Sequence, residues 1–176
     1  MSMSNINDKL FEYLVSNVSG DRFEALAKLV FGAIHGEEYL PLGGMHDGGA
    51  DGFYLPHVSV GKKPHTFFQF SITNSVKAKE KIAGTIESLI KAGREPRQVI
   101  YSTSESLPKQ DLLATELFDE YGISVVIRDR DRLKQFVNSD PQANRAFLDF
   151  FRPDIDAVKD STKSLHGAVN QFVQDP

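Results

Sequence analysis

Apolar residues recur at helical spacing in the first part of the chain. They lie three or four residues apart, as on one face of an α-helix: Phe23, Leu26, Ala27, Val30 and Phe31. Ser19, Gly20 and Asp21 precede this run and are typical of a chain break followed by a helix cap. The pattern therefore predicts a helix that ends at Gly32 or Gly36. A shorter helix is predicted before it, from Asp8 to Val18.

Four later segments are rich in β-branched and aromatic residues, which favour strands. The first two, Phe53–Val60 and Thr66–Thr73, are separated by the turn Gly61–Pro64 and predict a hairpin. The other two, Gln98–Ser102 and Ile123–Ile127, are short apolar runs typical of buried strands.

Amphipathic segments alternate with these strands. The first begins at Asn74 and Ser75, ends at Gly93, and carries one apolar stripe: Val76, Ile82, Ala83, Ile86, Leu89 and Ile90. A second runs from Pro108 to Gly122, and a third begins at Asp129 or Asp131. The alternation of strands and helices predicts an α/β domain with a central sheet.

The apolar pattern becomes sparse near the end of the chain. Ala143–Phe151 predicts a closing helix, after which Arg152 and Pro153 introduce a segment with few apolar residues. We therefore expect one domain over residues 1–152, followed by a linker or tail over 153–176 with a short amphipathic segment.

Composition excludes several classes of protein. The 176 residues are 40% hydrophobic and 25% charged, as in ordinary globular proteins. The absence of cysteine excludes a thiol nucleophile, a thiolate zinc site and a disulfide framework. No apolar run approaches the ~20 residues of a membrane span, and the first residues lack the layout of a signal peptide. We expect a cytoplasmic protein that is not in a membrane.

Charge is unevenly distributed. The whole chain carries −4, but the segment from Lys62 to Arg97 has eight basic and three acidic residues, a local balance of +5. This segment predicts either a basic face or an ordinary solvated helix surface. Candidate contacts to nucleic-acid phosphates are its basic residues Lys62, Lys63, Lys77, Arg94 and Arg97.

The glycine-rich run from Gly43 to Gly52 is the most informative stretch for chemistry. Glycines let the backbone turn sharply and approach a ligand, and Asp51 at the start of a strand offers carboxylate oxygens to a hard cation. The competing interpretation is a plain turn. His46 and Asp47 lie in the same run, as a possible base and a possible neighbour of the cation site, or as incidental loop residues.

The order of short motifs resembles the Mrr-like branch of the PD-(D/E)xK restriction-endonuclease superfamily. Phe23-Glu24 matches its first helix, Gly48-Gly49-Ala50-Asp51 its metal-binding turn, and Gln69 the polar position of its next core strand. The later part is similar to the family's closing strand-helix-strand-helix. It contains Val99–Thr103, Gly122-Ile123 and Asp131-Arg132-Leu133, so that the resemblance covers about residues 20–138.

The resemblance implies a restriction-endonuclease-like fold, with a central mixed sheet of about four to five strands flanked by helices. It implies a metal-dependent DNA endonuclease of restriction or antiphage defence, in which Asp51, Glu24 and Gln69 hold Mg²⁺ or Mn²⁺. The expected substrate is double-stranded DNA. A homodimer is expected because two strands are cut, and the domain is expected to function with a fused or associated sensor or motor module.

One position departs from the family pattern. The lysine expected two residues after Gln69 is Ser71, which cannot supply an ammonium group. Some members of the superfamily take this lysine from the following helix, where Lys79 lies within the predicted apolar stripe while Lys77 and Lys81 lie off it. Lys79 is therefore the predicted replacement. In the competing interpretation its stem lies along the sheet and its ammonium reaches solvent.

Two other functions are compatible with the sequence. Ser71 favours a catalytically inactive module that uses the same fold to bind DNA or a partner protein. A nuclease acting on RNA is the second. Loops for nucleotide phosphates, zinc-protease helices and serine-hydrolase elbows are absent from the sequence.

Overall fold

The computed structural model describes residues 6–42, 49–56 and 63–174, with side chains described up to residue 161. The helices of this part are α1 (Asp8–Ser16), α2 (Gly20–His35), α3 (Ser75–Lys91), α4 (Gln110–Tyr121), α5 (Arg130–Ser139) and α6 (Pro141–Gln174), with a 3₁₀ turn at Gly36–Glu38. The strands are β1 (Tyr39–Pro41), β2 (Gly52–Tyr54), β3 (Thr66–Ser71), β4 (Gln98–Thr103) and β5 (Ser124–Arg128).

The described strands form one mixed sheet in the order β1-β2-β3-β4-β5. β1, β2 and β3 pair antiparallel, whereas β3, β4 and β5 pair parallel and are connected through α3 and α4. The predicted α/β class, with a central mixed sheet flanked by helices, is confirmed.

The antiparallel part differs in detail from the prediction. Gly52 lies opposite Phe68, so β2 and β3 pair as the predicted hairpin requires. β2 ends at Tyr54, and residues 57–62 lie outside the described part of the chain. β1 was not predicted, because three residues are too few to show an alternating pattern.

Local capping explains where several helices begin. The side chains of Ser19, Asn74 and Asp129 each accept a hydrogen bond from a backbone N–H in the first turn of α2, α3 and α5. Gly122 ends α4 in the left-handed region at φ 69°. These four predicted boundaries are confirmed.

Two hydrophobic clusters cover the two faces of the sheet. α1, α2, α5 and α6 pack on one face and α3 and α4 on the other. Neighbouring residues of β3 point to opposite faces, so Phe68 joins the first cluster and Phe67 the second. As a result, the carboxyl end of β3 lies between α2 and α3.

The end of the chain differs from the prediction of a linker. α6 continues through Pro153 to Gln174, although proline has no N–H for the helical hydrogen bond. Tertiary contacts stabilise the helix past this point. Arg22 of α2 forms a bidentate ion pair with Asp154, and Ile155 packs against the core. The described helices include none with the length and apolar character needed to cross a membrane.

Candidate functional site

Asp51 is fixed at the point where the chain enters β2. Its N–H donates to Phe68 O at 2.8 Å, and its carbonyl accepts from Leu42 N at 2.9 Å. Its carboxylate turns toward β3, where Oδ2 accepts from Phe70 N at 2.5 Å and from Gln69 Nε2 at 2.8 Å. The backbone of two strands therefore sets the position of this acid.

Gln69 connects Asp51 to α3. Its side chain is 3% exposed, and its Oε1 accepts from the Thr85 hydroxyl at 2.7 Å while its amide nitrogen faces Asp51. The predicted role of Gln69 as a metal ligand stays a prediction, because an amide oxygen that accepts one hydrogen bond keeps a second lone pair. In the structure, Gln69 also holds the carboxylate of Asp51 through its amide nitrogen.

Glu24 of α2 forms the second acidic part of the site, together with a lysine on the same helix. Glu24 Oε1 lies 2.6 Å from Lys28 Nζ, and this ammonium also donates to Leu42 O at 2.6 Å. Leu42 is the residue whose N–H binds the Asp51 carbonyl. Sequence reasoning missed Lys28, although its spacing of four residues from Glu24 was a usable signal.

The electrostatics of Asp51 include the charges of several of these groups. Burial raises the pKa of Asp51 to about 6, and the charge of Glu24 acts in the same direction. The hydrogen bond from Phe70 N opposes this rise in pKa, as do the charges of Lys28 and Lys81. Two acids and two lysines from α2, the β2 entry and α3 therefore interact electrostatically.

The donor set is small for a metal centre. The described residues contain no group of three or more acids or histidines arranged to hold a metal ion. Asp51 Oδ1 accepts no hydrogen bond from the described residues, and Glu24 supplies a second carboxylate nearby. Because Mg²⁺ in proteins commonly retains several waters and takes one or two carboxylates, Asp51 and Glu24 fit this ion.

Lys79 does not join Asp51, contrary to the prediction. Its ammonium lies 3.0 Å from Glu116 and 3.9 Å from Glu120 on α4, and its side chain is 47% exposed. The buried face of α3 is rotated relative to the predicted apolar stripe. Val76, which the prediction included in that stripe, is 85% exposed. The buried positions of α3 are instead Ala78, Ile82, Thr85, Ile86 and Leu89.

Lys81 lies on the other side of this buried stripe. Residues 79 and 81 are about 160° apart around the helix, since each residue adds about 100°. Lys81 affects the pKa of Asp51 and has no ion pair within the described ranges. It also lines an open groove of about 470 Å³, together with Gly49, Thr73, Lys77, Glu80, Gly84, Thr85 and Ser88.

Ser71 is not among the residues that line this groove. Its hydroxyl lies 2.5 Å from Thr73 Oγ1 and accepts from Thr73 N at 3.0 Å, which closes the turn after β3. Lys81, whose charge acts on Asp51, is therefore a better candidate than Lys79 for the ammonium that the family pattern places at position 71.

The predicted phosphate contacts do not form one surface. Lys77 lines the groove with Lys81, but Lys63 and Arg94 line a different pocket, where Lys63 pairs with Glu95 at 2.6 Å. The backbone N–H of Arg97 donates to His65 O just before β3. Arg97 therefore lies at the opposite end of that strand from Asp51. Lys62, His46 and Asp47 lie outside the described residues.

A scan against protein-family models gives no match, and a search of curated proteins gives none. Among solved structures, the chain is similar to "MspJI Restriction Endonuclease in Complex with 27-mer Oligonucleotide", with a TM-score of 0.48 and 17% sequence identity. The similarity covers 81% of this chain and 34% of that one. The present chain thus spans about a third of the length of its neighbour.

Proposed function

We propose that this chain is a metal-dependent endonuclease domain that hydrolyses phosphodiester bonds of DNA. The proposal is supported by the charges of Glu24 and Lys81 acting on Asp51, whose carboxylate accepts hydrogen bonds from Gln69 and Phe70 of β3. Acids next to an unpaired ammonium are what phosphodiester hydrolysis requires, because negative charge must be both bound and offset. The order of the sequence motifs supports the same reaction.

Each residue has a distinct part in this proposal. Asp51 and Glu24 would hold Mg²⁺ or Mn²⁺, which when bound lowers the pKa of a water molecule and shields developing charge. Gln69 keeps the Asp51 carboxylate in place through Nε2, while Thr85 fixes its amide. Lys81 takes the role predicted for Lys79, orienting the attacking water and offsetting charge on the phosphate. Lys28 holds Glu24.

The groove along α3 supports a duplex as the substrate. Lys77 and Lys81 line it, and the charge of Lys81 acts on Asp51, so we propose that a phosphate backbone lying in the groove comes close to that acid. We propose a homodimer for cutting both strands. In keeping with the resemblance to the Mrr-like branch, we propose that the domain functions in restriction or antiphage defence. We also propose that it works with a fused or associated sensor or motor module.

Plasmid nicking tests the proposal. Supercoiled DNA is incubated with Mg²⁺ or Mn²⁺ and with the wild type, Asp51→Ala or the control Asp21→Ala, which alters an exposed acid of α2. Metal-dependent nicking by the wild type and Asp21→Ala, lost in Asp51→Ala, is the expected result. Nicking that survives Asp51→Ala would refute this site, and a parallel RNA substrate shows whether RNA is preferred.

A second function is an inactive nuclease fold that binds DNA or a partner protein. Two observations favour it: Ser71 closes a turn where the family lysine is expected, and the described part of the site offers two acids. Metal-independent DNA binding without any nicking would support this alternative against hydrolysis.

A further inference from the structure

A third cavity lies on the sheet face that α2 and α5 cover, away from the groove along α3. Its volume is about 520 Å³. We call it the arginine pocket. Its lining comes from β5 and α5: Val126, Arg128, Arg132, Gln135, Phe136 and Ser139. None of these residues takes part in the proposed hydrolytic site.

Arg128 is held in this pocket without a polar partner in the described part of the chain. Its Nη1 is buried and has no hydrogen-bond acceptor there. Its guanidinium lies 4.2 Å from the ring centre of Phe136 and 5.1 Å from that of Phe31. Ring faces stabilise a cation, but a buried guanidinium ordinarily also pairs with an anion.

The surrounding residues do not supply that anion. No acid is among the residues that line the pocket. The nearest acid in sequence, Asp129, caps α5 and accepts from Leu107 N and Arg132 N. Burial and the charge of Arg128 lower the pKa of the neighbouring His35, although Glu38 and Asp140 act in the opposite direction. Neither Glu38 nor Asp140 lines the pocket. Two guanidinium groups therefore line the pocket with no acid among its lining residues.

We propose that the arginine pocket binds a phosphate group between Arg128 and Arg132. The planar guanidinium presents paired N–H donors that match phosphate oxygens, and both arginines line the pocket. Gln135 lines the pocket one turn further along α5 and its side-chain amide can donate to the same ligand, whereas the Ser139 hydroxyl already donates to Phe136 O at 3.0 Å. This site is independent of the nuclease proposal and needs no metal.

Thermal unfolding in inorganic phosphate tests the pocket, with chloride used to keep ionic strength constant. The variants are Arg128→Met, Arg132→Gln and the control Arg145→Gln, whose arginine is 84% exposed on α6. Phosphate should raise the Tm of the wild type and the control, giving equal apparent Kd values. Because a charged hydrogen bond is lost, we expect the Kd to rise about tenfold or more in Arg128→Met and severalfold in Arg132→Gln.

The two variants protect the test from a folding artefact. Methionine keeps the apolar stem of Arg128, and circular dichroism checks that this variant folds. Arg132 is exposed, so Arg132→Gln decides the matter if Arg128→Met does not fold. Equal phosphate response in the wild type and Arg132→Gln, or no response in any protein, would overturn the proposal.

A second arm identifies the source of the phosphate. The affinity for a short DNA duplex is measured by fluorescence anisotropy without divalent metal. Weaker duplex binding by Arg132→Gln than by Arg145→Gln identifies the nucleic-acid backbone. Unchanged duplex binding, with the loss of the response to inorganic phosphate, identifies a free phosphate or nucleotide. Both results support a phosphate site, and neither depends on DNA cleavage.

Discussion

Asp51 is a carboxyl group whose charged form is opposed by its burial and favoured by its hydrogen bonds. Desolvation and Glu24 raise its pKa, while Phe70 N, Lys28 and Lys81 lower it, and the result is a value of about 6. A bound divalent cation would supply the positive charge that this balance lacks. In the metal-free protein, the ionised form of Asp51 therefore destabilises the fold at neutral pH.

Replacing Asp51 with Asn should remove this effect. The folded-state pKa of about 6 exceeds the ordinary value of 3.8, so the folded protein binds the proton more tightly than the unfolded chain. The contribution of Asp51 to the free energy of unfolding is therefore present at pH 4 and is lost as the pH rises through 6. We expect Asp51→Asn to gain about 2–3 kcal/mol relative to the wild type between pH 4 and pH 8.

Urea unfolding of both proteins without metal, at several pH values, measures this difference. A stability difference that stays constant with pH would mean that Asp51 titrates as an ordinary exposed acid.

The site residues that the sequence predicts most directly are those in short local motifs. Asp51 and Glu24 lie in such motifs, and the charge of Glu24 acts on Asp51 in the structure. Lys81 was passed over because the facing side of α3 depends on its tertiary packing. Polar Thr85 is buried, where it donates a hydrogen bond to Gln69, whereas apolar Val76 is exposed. Hydrophobicity alone therefore predicted the wrong buried face of α3.

Glycine has opposite effects in a strand and a helix of this fold. In β2, a Cβ at Gly52 would lie 2.7 Å from the Tyr39 hydroxyl and 2.8 Å from its ring, and Tyr39 is buried. In α3, a Cβ at Gly84 would meet nothing within 4 Å. The strand therefore requires glycine for space, whereas the helix does not.

Two alanine variants should consequently shift stability in opposite directions. Gly52→Ala should destabilise the protein by about 1–3 kcal/mol through overpacking. Gly84→Ala should stabilise it by about 0.5–1 kcal/mol, because alanine loses less backbone freedom in a helix. Denaturant unfolding of both variants measures the two changes, and destabilisation by Gly84→Ala would contradict the open surroundings of that position.

At the level of elements, the sequence predicts what is determined locally and misses what is determined by packing. The caps at Ser19, Asn74 and Asp129 depend on side chains within one turn, and they were predicted. The continuation of α6 past Pro153 was not, because it depends on contacts with α2 that are distant in sequence. β1 was not predicted because its three residues form a strand only through their pairing with β2, which the local sequence does not show.

The molecule as a whole separates its basic residues into different regions. Lys77 lies in the groove near Asp51, whereas Arg94 lies in a pocket with Lys63 and Glu95. The net charge of −4 disfavours nonspecific coating of DNA, so binding must depend on local groups. Of the basic residues in the segment from Lys62 to Arg97, the groove contains Lys77 and Lys81.

DNA binding should therefore be sensitive to Lys77 and insensitive to Arg94. Lys77→Gln should weaken duplex binding and reduce the slope of log K against log salt by about 1, the effect of one lost phosphate contact. Arg94→Gln is the matched charge control and should leave that slope unchanged. Anisotropy titrations over a range of salt concentrations measure both slopes, and equal losses in the two variants would argue against the groove as the binding surface.

Single-turnover DNA cleavage by Lys81→Ala and Lys79→Ala shows which lysine of α3 serves hydrolysis. The two lysines are two residues apart on α3, but Lys81 interacts with Asp51 and Lys79 with Glu116. Lys81→Ala should bind DNA and cut it about 100-fold more slowly or worse, while Lys79→Ala cuts at the wild-type rate. Normal cleavage by Lys81→Ala, or loss of cleavage in Lys79→Ala, would contradict the hydrolytic site described here.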